Sequence, residues 1–200
     1  MPKIGLTGNF GMGKTTVLGL FKNMGAYTVN IDNLVHDILK KQSVVKKITK
    51  TCGDDILANN SKKLSIDKKR MAQAIFDNTE KRKAVEQIIH PEVLNSMGKI
   101  EAKLVRKDPL SIIVFEVPLL FEAGYKKHFD KTIVVYTKQN TAIRRLMKKG
   151  FSRDEALKRL KAQMPITKKK KMSDFSIDND SDLEITEKKV NRIFNKITAG

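Results

Sequence analysis

The chain has 200 residues, and 40% of them are hydrophobic, which is enough to bury a core and excludes a disordered protein. This length fits one domain, or one domain with an inserted lobe. Lysine and arginine number 40 against 22 acidic residues, a formal net charge of +18. Such a charge favours polyanionic partners, namely nucleic acid, membrane surfaces or phosphorylated small molecules, but a lysine-rich composition explains it equally well.

The single cysteine, Cys52, excludes an internal disulfide and a multi-thiolate metal site. The first residues contain no apolar signal segment. The longest apolar stretch, at 112–121, is interrupted by Glu116 and Pro118 and falls short of the roughly 20 residues that cross a membrane. We therefore expect a cytoplasmic protein without a membrane partner.

Strands and helices alternate from the start of the chain. An apolar run predicts a strand at 3–7, glycine-rich sequence follows it, and spaced apolar residues predict a helix over 14–24. A second strand is expected at 27–31. Asp32 is then placed to cap a helix that ends near Lys41.

The lysine-rich segment at 43–107 is expected to be mostly helical, with a turn at 59–61 and a break at His90-Pro91. Continuous apolar runs then predict strands at 111–117 and 132–136. Runs of this kind are typical of a parallel sheet that is covered on both faces.

Basic helices and one more strand complete the chain. Two helices are expected within 140–163, on either side of Gly150, and a short strand is expected at 175–177. A capping-box pattern at 181–184 begins a terminal helix that ends near Ile197. This alternation predicts an α/β fold with a doubly wound parallel sheet.

The most specific motif is a phosphate loop at 8–15, which fits the pattern G-x-x-x-x-G-K-[ST] in full. Its glycines let backbone N–H groups converge on a phosphate cluster, and the helix that follows adds its N-terminal dipole. Lys14 is expected to reach the β- and γ-phosphates, and the Thr15 hydroxyl to bind Mg²⁺. The motif predicts ATP or GTP binding by Gly8, Asn9, Phe10, Gly11, Met12, Gly13, Lys14, Thr15 and Thr16.

Two acidic residues at strand ends are candidates for the chemistry. Asp32 follows the second strand, where it could act as a general base toward an attacking hydroxyl or simply cap a helix. Glu116 ends the third strand within apolar sequence, where an ionised carboxylate is costly unless it is paired or solvated. We therefore favour a place near the metal for Glu116.

Basic residues are candidates for binding phosphate. Arg145 and Lys149 belong to a basic helix that could close over a triphosphate as a lid, and a solvated face is the alternative. The four lysines at 168–171 are expected to be solvated surface. His90 could contact a substrate phosphate or end a helix, and Arg70 could bind an anion or be exposed.

Several motifs together resemble the dephospho-CoA kinases, and the resemblance covers nearly the whole chain. Besides the phosphate loop, the motifs are Val29-Asn-Ile-Asp32, Ile88-Ile-His-Pro91, Pro118-Leu-Leu-Phe-Glu122, Ala162-Gln-Met-Pro165 and Ile177-Asp-Asn179. The resemblance implies that ATP phosphorylates the 3′-hydroxyl of the dephospho-CoA ribose, the last step of coenzyme A synthesis.

The resemblance also implies a three-layer fold like that of nucleoside monophosphate kinases. This fold has a core five-stranded parallel sheet, a helical lobe on the CoA side and a mobile lid. The expected ranges are 1–59, 108–138 and 166–200 for the core, about 60–107 for the lobe and about 139–165 for the lid.

The family's residue roles transfer by position. The second acid of an Asp-x-Asp pattern, its proposed base, matches Asp32, whereas Asn30 stands in place of the first acid. Glu116 stands where the family often has Asp. Lys149 stands near where the family often has a lid Arg, and a lysine lacks the planar guanidinium that binds phosphate through two hydrogen bonds. The resemblance implies catalytic roles for Asp32, Lys14 and Arg145, metal binding by Thr15 and Glu116, and dephospho-CoA contacts for Asp32, Arg70, His90 and Glu122.

Two other classes of function remain as alternatives. Another kinase of the same fold could act on a nucleoside monophosphate, and an acceptor screen distinguishes it. A nucleic-acid-stimulated NTPase would use the positive charge, but the chain has no tryptophan and none of the basic-aromatic motifs of RNA-binding modules. The sequence does not predict the oligomeric state.

Overall fold

The computed structural model describes residues 1–58, 64–76 and 78–199. Their contacts divide the chain into two compact units, Met1–Asn30 with Lys107–Gly200, and Ile31–Arg106. The turn expected at 59–61 lies outside the described residues. The expected bounds of the lobe and the lid stay predictions.

The first unit contains a five-stranded sheet in which all strand pairs of the described chain are parallel. Its order is β2-β3-β1-β4-β5. The strands are β1 (Lys3–Thr7), β2 (Tyr27–Asn30), β3 (Ile113–Glu116), β4 (Lys131–Tyr136) and β5 (Phe175–Asp178). The predicted α/β class with a five-stranded parallel sheet is therefore confirmed.

Helices connect these strands and form most of the second unit. In chain order they are α1 (Lys14–Asn23), α2 (Ile31–Ile38), α3 (Gln42–Cys52), α4 (Lys68–Phe76), α5 (Thr79–Lys107), α6 (Gln139–Met147), α7 (Arg153–Lys161), α8 (Ile166–Met172) and α9 (Leu183–Thr198). Within the described ranges, every helix is too short or too polar to cross a membrane.

One apolar core packs the sheet of the first unit against α1 and α9. The strands contribute residues that are fully buried, and the apolar faces of the two helices cover them. Members of this core are Ile4, Leu6, Val17, Phe21, Val114, Ile133, Val135, Ile177, Val190 and Ile193. Helices on the sheet explain why the strands read as continuous apolar runs rather than as alternating ones.

The predicted helix break at His90-Pro91 is wrong, because α5 continues through both residues. Proline inside a helix removes one hydrogen bond and crowds the preceding turn. Val85 and Val93, on either side of the proline, are both buried. Packing of this apolar face outweighs the local cost, so the helix persists.

Two helix starts also differ from the prediction. Asp32 lies inside the first turn of α2 rather than at its N-cap, and α2 ends at Ile38. Helix α9 is capped by Asp182, whose carboxylate accepts a hydrogen bond from the Ile185 N–H at 2.9 Å, and not by a box that starts at Ser181. Carboxylates suit both positions, because the N-terminal turn presents free N–H groups.

Candidate active site

The phosphate loop connects the carboxyl end of β1 to the start of α1. Gly13 precedes α1 in the left-handed region, with φ 86° and ψ 28°. A Cβ atom at Gly13 would collide with the side-chain amide of Asn179, so both the backbone conformation and the available space require glycine. The loop leads directly into the first turn of α1, whose free N–H groups are suited to binding an anion.

Lys14 and Thr15 are the first polar side chains of α1. The Lys14 ammonium donates to the carbonyl of Asn9 at 3.4 Å, so this lysine folds back along the loop. The Thr15 hydroxyl lies 3.4 Å from each carboxylate oxygen of Glu116. The structure thus brings together the two residues that the sequence predicted for the metal.

Glu116 ends β3, which lies between β1 and β2 in the sheet. Its side chain is only 4% exposed, and Asn30 at the end of β2 donates to it at 3.1 Å. The described residues contain no cluster of three or more histidine, cysteine, aspartate or glutamate residues for a metal. One carboxylate and one hydroxyl nevertheless suit Mg²⁺, which commonly keeps waters and substrate phosphates as its other ligands.

Arg145, on α6, lies beside the phosphate loop. One guanidinium nitrogen, Nη2, donates to the carbonyl of Asn179 at 2.8 Å. The other, Nη1, is buried, lacks a hydrogen-bond partner in the described part of the chain, and lies 3.3 Å from where a Cβ of Gly13 would be. Such a donor is costly to leave unsatisfied, and an anion in the loop would satisfy it.

The N-terminus of α6 is fixed by Asp180. The carboxylate accepts from the Thr137 hydroxyl at 2.6 Å and from the Lys138 N–H at 3.3 Å. These bonds, the Thr137 bond above all, hold the pKa of Asp180 well below its usual range. Asp180 therefore helps to place the helix that carries Arg145.

Asn179 is a site residue that the sequence analysis did not select. Its amide donates to the Met12 carbonyl of the phosphate loop at 3.0 Å, and its side-chain oxygen accepts from the Thr186 hydroxyl at 3.2 Å. Asn179 thus links the loop to α9. The available signals were its place just after a strand of the parallel sheet and the motif at 177–179.

A segment after α7 holds the front of the phosphate loop. The Phe10 N–H donates to the side-chain oxygen of Gln163 at 2.7 Å, and the Asn9 amide donates to the Met164 carbonyl at 3.1 Å. The Phe10 ring also meets Phe151 edge-on at 5.4 Å, and the Arg159 guanidinium lies over both rings. These contacts tie the loop to the region expected to form the lid.

The prediction that the lysines at 168–171 are all solvated is wrong for Lys169, whose side chain is completely buried. Helix α8 packs against β4, and the helical period turns this lysine inward while Lys168 and Lys171 are exposed. The Lys169 ammonium forms an ion pair with Glu122 at 2.8 Å.

Comparison with known proteins identifies the family of this chain. The sequence model of the family described as dephospho-CoA kinase matches residues 3–184. The chain belongs to the dephospho-CoA kinase family. A dephospho-CoA kinase of Aquifex aeolicus is 38% identical over 199 residues, which are 99% of this chain and 98% of that relative.

Two solved structures resemble this member of the dephospho-CoA kinase family over nearly their whole length. Protein TT1252 from Thermus thermophilus has a TM-score of 0.84 and 28% identity, and the match covers 98% of this chain and 97% of that one. A dephospho-CoA kinase from Campylobacter jejuni has a TM-score of 0.71 and 25% identity, with 99% and 98% covered. These matches support the fold described above.

The four remaining residues expected from the dephospho-CoA kinase resemblance lie on or next to four different helices. Lys149 is exposed and follows the end of α6. Asp32 is exposed in the first turn of α2, and His90 is half-buried inside α5, so the alternative that it ends a helix is wrong. Arg70 donates to the Leu57 carbonyl at 3.1 Å.

Arg70 also lines a cavity of about 450 Å³ in the second unit. The cavity combines the two cations Arg70 and Lys81 with one acid, Asp55. Cys52 lines it as well, and burial raises the pKa of this thiol, which therefore stays protonated at neutral pH. With two cations and one acid, the cavity is suited to an anionic ligand.

Proposed function

We propose that this protein is a dephospho-CoA kinase that transfers the γ-phosphoryl group of ATP to the 3′-hydroxyl of the dephospho-CoA ribose. The products are coenzyme A and ADP. The observation that carries the proposal is a complete phosphate loop, with Thr15 against Glu116 and Arg145 against Gly13, in a chain of this family. We also propose that the reaction takes place in the cytoplasm.

The phosphate loop and Lys14 would hold the triphosphate of ATP. Thr15 and Glu116 would hold Mg²⁺, which when bound neutralises charge on the phosphates. The buried donor of Arg145 would contact the transferring phosphoryl group, and Lys149 would add a second positive charge from the end of its helix. These residues would stabilise the negative charge that develops on the transferring phosphoryl group.

Asp32 is proposed as the general base that takes the proton of the ribose hydroxyl. It is an exposed carboxylate, and it lies two residues along the chain from Asn30, which contacts Glu116. A general base must be accessible to the substrate hydroxyl, and an exposed carboxylate meets this condition. Arg70, His90 and Glu122 are proposed to contact dephospho-CoA.

The experiment that tests this function is an ADP-release assay with Mg-ATP and one acceptor at a time. The acceptors are dephospho-CoA, AMP, CMP and none, and the product is identified by mass. We expect release that depends on dephospho-CoA, with coenzyme A as the product. ADP release that depends on AMP or CMP, or that needs no acceptor, would contradict dephospho-CoA as the substrate. It would still be consistent with ATP binding by the phosphate loop.

A further inference from the structure

Lys169 is a buried cation that the proposed reaction does not use. Among the lysines and arginines that the structure describes, no other side chain is buried to this degree. Removing an ammonium from water is costly, and a buried ion pair often stabilises a fold no better than apolar side chains of the same volume. A role in holding particular atoms in place explains Lys169 better than a role in stability alone.

The first set of contacts connects Lys169 to the start of the phosphate loop. Its ammonium donates to the Pro118 carbonyl at 3.3 Å. The same carbonyl accepts from the Thr7 hydroxyl at 3.2 Å. Thr7 ends β1 and directly precedes Gly8, so Lys169 supports the strand end from which the loop begins.

The second set of contacts connects Lys169 to the front of the loop. The Glu122 oxygen that pairs with Lys169 also accepts from the Met164 N–H at 3.2 Å. The Met164 carbonyl in turn accepts from the side chain of Asn9, and the neighbouring Gln163 accepts from the Phe10 N–H. The ion pair thus holds the segment that contacts two consecutive loop residues.

We propose that Lys169 is a positioning residue for ATP binding. Through Glu122 and Pro118 it sets both the origin of the phosphate loop and the segment at 163–164 that clamps its front. The backbone N–H groups of such a loop bind phosphate only when they converge, so small displacements at either end weaken binding. The inference rests on the proposed function only in taking ATP as the loop's ligand.

The test uses the full chain and four variants: Lys169→Met, Glu122→Gln, the two combined, and Lys168→Met. Lys168 is exposed on the same helix, so its variant is a matched control for losing a lysine. Binding of Mg-ATP is measured without acceptor by calorimetry, and kcat and KM for ATP are measured with dephospho-CoA. Thermal unfolding is recorded for each variant.

We expect Lys169→Met and Glu122→Gln each to raise the Kd for ATP about tenfold. In Lys169→Met the KM for ATP should rise by a similar factor, while kcat changes less than about twofold. The control should match the original chain. The double variant separates positioning from stability, because it no longer contains an unpaired buried charge. Its unfolding temperature should recover toward that of the original chain, while its affinity for ATP stays low.

Recovery of ATP affinity together with thermal stability in the double variant would overturn the proposal. An unchanged Kd for ATP in Lys169→Met would do the same. If Lys169→Met does not fold, Glu122→Gln decides, because it keeps the size of the side chain and an oxygen for the Met164 N–H. ATP binding needs no acceptor, so a failure of the proposed substrate leaves this test intact.

Discussion

At the scale of single residues, Asn30 and Glu116 show how this chain arranges charge beside Thr15. The amide of Asn30 donates to the Glu116 carboxylate, which is nearly fully buried. A carboxylate at position 30 would repel Glu116 instead, since two like charges in contact oppose ionisation. The departure from the family's Asp-x-Asp pattern therefore leaves one acid facing the Thr15 hydroxyl, with a neutral partner that orients it.

Asp32→Asn tests the proposed general base. The amide cannot accept the ribose proton, so we expect kcat to fall about 10²- to 10⁴-fold. The Kd for Mg-ATP should stay near that of the original chain. Steady-state kinetics and calorimetry measure the two quantities.

The control for this prediction is Asp37→Asn, on the same helix. Asp37 is exposed and pairs only with Lys40 among the ion pairs of the described chain. Surface pairs of this kind contribute little, so its kcat should be unchanged. Turnover by Asp32→Asn that matches the control would remove Asp32 from the mechanism.

At the scale of elements, α6 depends on an acid at its N-terminus. Folding lowers the pKa of Asp180, so its ionised form stabilises the folded state above its unfolded pKa of about 4. That contribution is lost as the pH falls through the folded-state pKa. Asp180→Asn should therefore lower the unfolding temperature at neutral pH, and the difference should begin to shrink below about pH 4 and continue to shrink as the pH falls further.

Thermal unfolding at several pH values measures this effect, with Glu187→Gln as the control. Glu187 is exposed on α9, and its substitution should change the unfolding temperature little at any pH. A difference for Asp180→Asn that does not shrink as the pH falls from about 4 to about 2 would contradict the assignment.

Helix α5 contains Pro91 in its interior, where proline lowers the stability of a helix. Pro91→Ala restores one backbone hydrogen bond and removes a clash with the preceding turn, and Pro91 is exposed, so no core contact is lost. We expect the free energy of unfolding to rise by about 1–3 kcal/mol in urea titrations. Asn95→Ala, at another exposed position of α5, should change it by less than about 1 kcal/mol. A loss of stability in Pro91→Ala would show that the helix is built around the proline.

At the scale of the whole molecule, the apolar runs and the phosphate loop were predictable because each is a local pattern. That Glu116 would have polar partners was predictable as well, because an acid at the end of a buried strand is costly without them. Lys169 was not, since four adjacent lysines resemble solvent-exposed sequence and only the packing of α8 shows which one turns inward. The continuation of α5 through Pro91 was not predictable either, because tertiary packing outweighs the local tendency of proline to end a helix. The role of Asn179 was not predictable, because β4 separates β5 from β1 in the sheet and only the folded chain brings the Asn179 amide to the Met12 carbonyl.

The net charge of +18 also belongs to the whole molecule. Apart from Lys169, the lysines and arginines that the structure describes are half-buried or exposed, so this charge lies at the surface. If it attracts anionic substrates, raising the salt from about 0.1 M to about 1 M shortens the screening length from about 10 Å to about 3 Å and should raise KM severalfold. Steady-state kinetics across this range measures the effect, with kcat as the internal control. A KM that does not depend on salt would mean that the positive charge reflects a lysine-rich composition and does not attract the substrates.

The contact between Phe10 and Phe151 makes the protein suited to optical work. The chain contains no tryptophan, so its ultraviolet emission has no indole background. Phe151 meets the ring of Phe10 in the phosphate loop at 5.4 Å. A tryptophan introduced at position 151 would be the sole indole of the molecule. Its emission would report nucleotide binding at the phosphate loop in real time without a dye.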